Sequence, residues 1–261
     1  MNKIRPLKRL GQNFLIDQNI IKQLVDSIQP KKNEILVEIG PGQGALTFEL
    51  LKHDIKLTLL EIDSLLFQTL SCQLSHQPNV NLFCQDALKY DYTLVSGESK
   101  SIRLVGNLPY NISTPLVFHC LKQAHLFQDM HFMLQKELVN RICACPGNKV
   151  YGRLSVMVQY FCRTMALFDV KPESFHPKPK VQSAVICLIP HSIPPYKALK
   201  FELFEELVRD AFNMRRKTLQ NSLKRYLTAA AFIELNISPK ARPETLSVEL
   251  FVKISNYLAS Q

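Results

Sequence analysis

The sequence lacks any apolar run long enough to cross a membrane. No stretch of its 261 residues approaches the roughly 20 consecutive apolar residues that a membrane-spanning helix requires. The first 18 residues are basic, but no apolar segment follows them, so we expect neither a secretory signal nor a membrane partner. With 46% hydrophobic and 21% charged residues, the chain has the composition of a globular protein of one or two domains.

The sequence also lacks the cysteine and histidine spacings of metal sites. Its seven cysteines are scattered, only Cys143 and Cys145 lie close together, and no CxxC pair occurs. The seven histidines show no HExxH or similar spacing. We therefore expect no disulfide framework, no zinc ribbon and no metal cofactor. Scattered reduced thiols are typical of cytoplasmic proteins, and the cytoplasm is the location that we expect.

Acidic residues are too few to balance the basic ones. The chain has 32 Lys and Arg against 22 Asp and Glu, a formal net charge of +10. Residues 1–15 contain four basic residues and no acid, and residues 209–225 contain six against Asp210 alone. These basic residues are Lys3, Arg5, Lys8, Arg9, Arg209, Arg215, Arg216, Lys217, Lys224 and Arg225. Two separate clusters favour a nucleic-acid partner over a charge that serves solubility alone.

Short apolar runs alternate with helical patterns over the first two thirds of the chain. Strands are predicted at residues 35–39, 56–62, 80–85, 102–107, 130–134, 164–170 and 181–189. Helices are predicted at residues 17–28, 44–53, 64–76, 114–124, 135–145 and 152–162. Continuously apolar strands that alternate with helices predict an α/β fold with a mostly parallel, seven-stranded sheet covered on both faces. The last two strands are expected to form an antiparallel edge pair.

The composition changes near Pro190. The stretch PHSIPP, residues 190–195, is typical of a linker, and apolar residues recur beyond it at helical spacing in 201–212 and 247–258. We therefore expect a first domain of residues 1–190 and a small all-helical second domain of residues 191–261.

The first predicted strand runs into a glycine-rich turn, EIGPGQGALT. Glycines between a strand and a helix let a cofactor approach the backbone closely. Gly40, Gly42 and Ala45 also fit the dinucleotide fingerprint, so this motif leaves NAD and S-adenosylmethionine both open. Two features favour S-adenosylmethionine. Pro41 removes a backbone N–H from pyrophosphate binding, and Glu38 would repel a diphosphate but tolerate a cationic sulfonium.

Acidic residues also end the next two predicted strands. Glu61 lies 21 residues after Gly40, where a carboxylate can accept hydrogen bonds from both ribose hydroxyls. Asp86 ends the third strand, where it can accept from the exocyclic amine of a cofactor adenine. Either acid alone could simply cap the next helix. Together with Glu38, they favour a nucleoside cofactor at the carboxyl-end edge of the sheet.

The fourth predicted strand ends in GNLPYNIS, residues 106–113. Its tetrad, Asn107, Leu108, Pro109 and Tyr110, reaches the same edge of the sheet. The Asn107 side-chain oxygen and a backbone carbonyl beside Pro109 can accept the two hydrogens of an aromatic amine that gains positive charge during methyl transfer. Tyr110 can stack on the base. The alternative is a structural turn with a packed Tyr, which the nearby glycine loop disfavours.

These motifs resemble those of the ribosomal RNA adenine N6-dimethyltransferases, specifically the KsgA-type small-subunit enzymes. The matching stretches are LGQNFL (10–15), EIGPGQGALT (38–47), LLEID (59–63), QDAL (85–88), GNLPYNIST (106–114), YGRLSVMVQY (151–160), FHPKPKVQSAV (175–185) and FNMRRKTLQNSL (212–223). The resemblance implies a Rossmann-like class I methyltransferase domain and a helical rRNA-docking domain. It also implies S-adenosyl-L-methionine as cofactor and S-adenosyl-L-homocysteine as product.

The resemblance extends the set of candidate site residues. Asn13 and Leu15 enter the set of cofactor residues through the resemblance alone. Phe175 is also a candidate through the resemblance alone, as the residue that stacks on the target base opposite Tyr110. The expected cofactor residues are Asn13, Leu15, Gly40, Gly42, Glu61, Asp86 and Asn107. The expected RNA-binding residues are Lys8, Arg9, Lys178, Lys180, Arg215, Arg216 and Lys217.

The implied substrate is a pair of adjacent adenines in a hairpin loop near the 3′ end of small-subunit (16S) rRNA, in the pre-30S particle. A loop base can be splayed into a pocket at less cost than a duplex base. Two alternatives stay open: methylation of large-subunit rRNA, and a non-catalytic RNA-binding factor on the same fold. The basic tail motif disfavours the first, and the complete set of site residues disfavours the second. We expect a monomer.

Overall fold

The computed structural model describes residues 10–96, 101–213 and 217–261. Its strands are β1 (Phe14–Leu15), β2 (Ile35–Ile39), β3 (Lys56–Glu61), β4 (Val80–Cys84), β5 (Ile102–Asn107), β6 (Phe127–Gln135), β7 (Cys162–Val170), β8 (Phe175–His176) and β9 (Ser183–Pro190). Its helices are α1 (Gln18–Ile28), α2 (Ala45–Leu50), α3 (Ser64–Gln73), α4 (Ser113–Lys122), α5 (Lys136–Ile142), α6 (Arg153–Phe161), α7 (Phe201–Asn213), α8 (Leu219–Ser222), α9 (Ala229–Glu234) and α10 (Val248–Ala259).

One seven-stranded sheet organises the α/β part of the chain. Its strand order is β4-β3-β2-β5-β6-β9-β7, and β1 pairs separately with β8. The strands from β4 to β6 run parallel to their neighbours, whereas β9 runs antiparallel to β6. The predicted mostly parallel sheet of seven strands is therefore confirmed. The two late strands lie at one end of it, with β7 at the edge.

Helix α1 is stabilised by an N-terminal cap and by a buried apolar face. The Asp17 side chain accepts hydrogen bonds from the backbone N–H groups of Asn19 and Ile20, which the first turn of a helix leaves unpaired. The buried side chains of this helix are Ile21, Leu24, Val25 and Ile28. They pack into the same core as the leucines of β2 and β3. The helix thereby holds the residues just before it, 13–17, beside the sheet.

Strand β6 begins earlier than predicted, at Phe127, because a charged residue within it is buried. The sequence places Asp129 before the apolar run 130–134, where an acid is typical of a loop. In the fold, Arg103 of β5 donates from Nη2 to Asp129 Oδ2 at 2.9 Å, and from Nη1 to Glu34 Oε2 at 2.9 Å. A buried acid that is paired in this way can occupy a central strand.

The chain forms two compact units. The first contains residues up to 139 together with 165–190, and the second contains residues 140–164 together with 191–261. Residues 140–164, which carry α6, thus group with the helices that follow residue 190. The functional assignment of residues 1–190 and 191–261 to methyl transfer and rRNA docking stays a prediction. In the described ranges, no helix is long and apolar enough to span a membrane.

Candidate active site

A cavity of about 400 Å³ opens within the first unit, at the carboxyl ends of β2, β3 and β5. Every predicted cofactor residue lines it, and so does the whole tetrad of residues 107–110. These residues come together because parallel strands deliver their carboxyl ends to one edge of the sheet. The N-terminal residues 10–16 form a further wall. Their roles toward a ligand stay predictions at this point.

The glycine loop between β2 and α2 needs glycine for two different reasons. Gly40 has φ +67°, and a Cβ there would have no atom within 4 Å, so the loop leaves open space at the cavity. Gly42 has φ +59°, and a Cβ there would lie 3.1 Å from the Phe14 ring. A positive φ disfavours other residues at both positions. The result is a backbone that a ligand can approach on one side and that Phe14 covers on the other.

Glu61 fastens this loop to the end of β3. Its Oε2 accepts the Gly42 N–H at 3.0 Å, and its Oε1 accepts the Asp63 N–H at 2.9 Å. Burial of the side chain raises the pKa of Glu61 above its usual range, although hydrogen bonds from the backbone of Asp63, Gly42 and Ile62 oppose that change. Each carboxylate oxygen keeps a further lone pair, so the group can still accept hydrogen bonds from a diol.

Asp86 is less constrained than Glu61. Its Oδ1 accepts the Leu88 N–H at 2.9 Å within a turn, so Asp86 caps a turn and not the start of a helix, which was the alternative considered from the sequence. The residue is only partly buried and lines the cavity. This hydrogen bond uses one oxygen of the carboxyl group, so the second oxygen can accept a hydrogen bond from an amine.

Glu38 is buried at the base of the glycine loop and is 2% exposed. Its Oε2 accepts the Thr47 hydroxyl at 2.7 Å. Burial raises the pKa of Glu38 to about 8, so the carboxyl is mainly neutral at pH 7. The expected repulsion between Glu38 and a diphosphate therefore gives little discrimination between cofactors. Thr47 was not identified from the sequence.

The orientation of the Asn107 side chain is fixed by the N-terminal wall. Asn107 Nδ2 donates to the Asn13 backbone carbonyl at 2.8 Å. A carbonyl can only accept, so this contact requires the NH₂ end of the amide to face Asn13. The opposite end, Oδ1, remains available as an acceptor. Asn13 thus contributes a backbone oxygen that orients Asn107, a role that no pattern in the sequence indicates.

The tetrad contains a second candidate acceptor. The Pro109 carbonyl already accepts the Ser113 hydroxyl at 2.8 Å and the Ile112 N–H at 3.2 Å within the turn. A carbonyl oxygen has two lone pairs, so these two hydrogen bonds occupy both of them. The available backbone acceptor beside Pro109 is therefore the carbonyl of Leu108, whose own N–H donates to the Met133 carbonyl at 3.1 Å.

The two aromatic candidates occupy different environments. Tyr110 is half-buried, lines the cavity and shares a 2.7 Å hydrogen bond between its hydroxyl and that of Ser183. Phe175 is 3% exposed, packs in the core with Leu15 and Met133, and is not among the described residues that line the cavity. The predicted stacking role of Phe175 thus stays a prediction. Ser183 was missed as a site residue, although it lies in the matched stretch 175–185.

The predicted RNA-binding residues are only partly described. Lys178, Lys180 and Lys217 are exposed, and Lys178 forms an ion pair with Glu173. Lys8, Arg9, Arg215 and Arg216 lie outside the described residues. Among the residues that the structure does describe, no group of three or more His, Cys, Asp or Glu side chains could hold a metal ion.

Comparisons with known proteins identify the family of the chain. The chain matches the family described as ribosomal RNA adenine dimethylase over residues 1–260. It is 48% identical over 261 residues to the ribosomal RNA small subunit methyltransferase A of Marinomonas sp. (strain MWYL1), covering 99% of this chain and 98% of that protein.

Solved structures confirm the predicted Rossmann-like fold. A dimethyladenosine transferase from Plasmodium falciparum superposes with a TM-score of 0.76 at 26% identity, covering 92% of this chain and 95% of that one. The 23S rRNA methyltransferase ErmE superposes with a TM-score of 0.75 at 26% identity, covering 95% of this chain and 100% of that one. From the family match and the relative at 48% identity, we conclude that the chain belongs to the ribosomal RNA adenine dimethylase family.

Proposed function

We propose that this protein transfers methyl groups from S-adenosyl-L-methionine to the N6 amines of two adjacent adenines in the hairpin loop near the 3′ end of small-subunit rRNA. Each adenine receives two methyl groups, and S-adenosyl-L-homocysteine is released. The observation that carries this proposal is the Asn107 amide, which lines the cavity and donates to the Asn13 carbonyl at 2.8 Å, so that Oδ1 is left as its acceptor end. An oriented acceptor at this position suits a primary aromatic amine.

The cavity fits the cofactor chemically. Glu61 can accept from the two ribose hydroxyls, Asp86 can accept from the adenine amine, and the open backbone at Gly40 allows close approach. Asn13 and Leu15 would enclose the cofactor from the N-terminal side. Glu38, mainly neutral at pH 7, holds the loop through Thr47. When bound, the cofactor supplies an electrophilic methyl group on a sulfonium.

The tetrad provides what the target amine needs. The lone pair of an adenine amine is delocalised into the ring, and the nitrogen gains positive charge as it attacks. In the first transfer, Asn107 Oδ1 and the Leu108 carbonyl accept its two N–H groups and stabilise that charge, and in the second transfer one of them accepts the single N–H that remains. Tyr110 stacks on the base and sets its plane. The chain needs no strong general base because a methylated ammonium readily loses a proton to water, so catalysis is mainly positioning.

The preference for small-subunit rRNA rests on sequence similarity. The fold alone does not separate the two RNA targets, because a 23S rRNA methyltransferase superposes about as well as a dimethyladenosine transferase. The relative at 48% identity is named as a small-subunit rRNA methyltransferase, and the alignment covers almost the whole length of both chains. A non-catalytic factor is disfavoured, because it would have no need of an oriented Asn107 beside a cofactor cavity.

The setting of the reaction is part of the same proposal. The protein acts as a monomer in the cytoplasm on the pre-30S particle, with residues 191–261 serving as an rRNA-docking domain. The exposed Lys178 and Lys180 would contact the RNA backbone near the site, and Lys217 would contact it from the helical domain. Lys8, Arg9, Arg215 and Arg216 complete the proposed RNA-binding set.

The test is a methylation assay with mass spectrometry. The purified chain is incubated with S-adenosylmethionine and small-subunit particles from cells that lack this modification, and N6,N6-dimethyladenosine is quantified in the rRNA. Four methyl groups on two neighbouring adenines would support the proposal. Transfer to naked large-subunit RNA instead would replace the target. Absence of S-adenosylmethionine binding in calorimetry would favour a non-catalytic RNA-binding factor.

A further inference from the structure

The strap, residues 13–17, connects three parts of the proposed site. Its first four residues line the cavity, and the carbonyl of Asn13 orients the Asn107 amide. Its β1 residues pair with β8, where Leu15 lies opposite Phe175. Its last residue, Asp17, caps α1. A shift of the strap would therefore disturb the cofactor wall, the catalytic amide and the segment that carries Phe175.

Ser174 fastens the strap from the other side of the β1–β8 pair. The Ile16 N–H donates to the Ser174 carbonyl at 2.9 Å, and the Ser174 hydroxyl donates to Asp17 Oδ2 at 2.9 Å. Ser174 is 6% exposed, so solvent competes little for its hydroxyl. The other oxygen of Asp17 accepts the Asn19 N–H at 3.0 Å. Asp17 thus ties Ser174 to the start of α1.

We propose that Ser174 is a positioning residue for methyl transfer: through Asp17 it holds the strap in the register in which the Asn13 carbonyl orients the Asn107 amide. The inference rests on the proposed function, since it assigns Ser174 to the same site. Ser174 is not among the described residues that line the cavity, and we assign its effect to the strap rather than to its neighbour Phe175. Its hydroxyl also lowers the pKa of Asp17, which keeps that acceptor ionised.

The test compares three variants with the wild-type chain. Ser174→Ala removes the hydroxyl, and Ser174→Thr keeps it. Ser27→Ala is the matched control, because the Ser27 hydroxyl donates only to the Leu24 carbonyl within α1, at 2.7 Å. The measurements are kcat and KM with small-subunit particles, S-adenosylmethionine affinity by calorimetry, the unfolding midpoint, and hydrogen exchange of the Ile16 amide.

We expect Ser174→Ala to lower kcat about tenfold, because a hydrogen bond to an ionised acceptor is worth about this factor. Exchange of the Ile16 amide should accelerate, while the unfolding midpoint falls only about 2–4 °C below that of Ser27→Ala. Ser174→Thr should restore both kcat and exchange. A wild-type kcat in Ser174→Ala, or a loss that Ser174→Thr does not rescue, would overturn the inference. If the wild-type chain itself transfers no methyl group, the proposed function fails, and unchanged Ile16 exchange in Ser174→Ala would separately reject the strap contact.

Discussion

The hydroxyl of Tyr110 and the hydroxyl of Ser183 lie 2.7 Å apart. Ser183 is fully buried at the start of β9, where it lies opposite Gln135 of the neighbouring strand β6. The hydrogen bond therefore ties the aromatic ring in the cavity wall to a rigid part of the sheet. A stacking surface is useful only at a fixed angle, and this contact would supply that angle for the proposed stacking of Tyr110 on a base.

We predict that Ser183→Ala weakens substrate binding more than cofactor binding. Loss of one neutral hydrogen bond, worth about 1 kcal/mol, should raise KM for small-subunit particles about fivefold. S-adenosylmethionine affinity in calorimetry should change little. Tyr110→Phe is the matched variant, since it removes the same hydrogen bond and keeps the stacking face. Unchanged KM in both variants would mean that packing alone holds the ring.

Asn107→Ala should separate catalysis from cofactor binding. In the proposed mechanism, the Asn107 acceptor is oriented toward the charge that develops in the transition state, and removal of such a group lowers kcat by about 10²–10³-fold. The cavity walls made by the glycine loop and Glu61 remain, so S-adenosylmethionine should still bind measurably in calorimetry. Asn81→Ala, on the exposed edge strand β4, controls for loss of an amide elsewhere. Turnover at the wild-type rate in Asn107→Ala would reject its role as the acceptor.

The sequence predicts the sheet and the cavity edge well because both follow from local patterns. Continuous apolar runs predict the strands, and the residues that end them, including Glu61, Asp86 and Asn107, meet at one edge by topology. The strap is different. Its pairing with β8 joins residues about 160 positions apart, and a two-residue strand has no periodicity. Only the resemblance pointed to Asn13 and Leu15.

Buried charged side chains are the other feature that the apolar pattern of the sequence does not reveal. Arg103 lies inside the run 102–107, which otherwise has the apolar pattern of a central strand, and Asp129 lies outside the predicted strand 130–134. The pair they form across β5 and β6 makes both compatible with the core, and Glu34 supplies a second carboxylate to Arg103. Neutral Glu38 follows the same rule, because its protonation depends on burial in the folded chain.

Glu38→Gln should change how the stability of the protein depends on pH. The pKa of Glu38 rises from 4.5 to about 8 on folding, so the folded chain keeps a proton that the unfolded chain releases between these values. The free energy of unfolding should therefore fall as the pH rises through this range, by up to about 1.4 kcal/mol per pH unit from this group. Gln still accepts the Thr47 hydroxyl and carries no charge.

The measurement is chemical unfolding of both chains between pH 5 and pH 8. Stability of Glu38→Gln relative to the wild-type chain should increase as the pH rises. The exposed Glu202→Gln serves as the control for removing a carboxylate. A flat difference between Glu38→Gln and the wild type would show that Glu38 is ionised in the folded protein.

Arg103→Met should destabilise the fold strongly. Arg103 is 5% exposed, and it pairs with Asp129 and Glu34 while its Nη1 also donates to the Gln29 carbonyl at the end of α1. Without it, Asp129 is a buried charge that keeps, among the described side chains, only the His131 ring nitrogen, 3.4 Å from its Oδ1, and loss of one member of such a pair costs about 3–5 kcal/mol. Urea unfolding measures the change.

Two further variants distinguish buried charge from general disruption. Lys32→Met breaks the exposed Lys32–Asp54 pair, which joins Nζ to Oδ2 at 2.9 Å, and should cost less than about 1 kcal/mol. Asp129→Asn added to Arg103→Met should recover part of the loss, because a neutral amide is cheaper to bury than an unpaired carboxylate. If Arg103→Met costs no more than Lys32→Met, the buried network contributes nothing beyond an ordinary surface pair, and β6 is held in register by its apolar contacts alone.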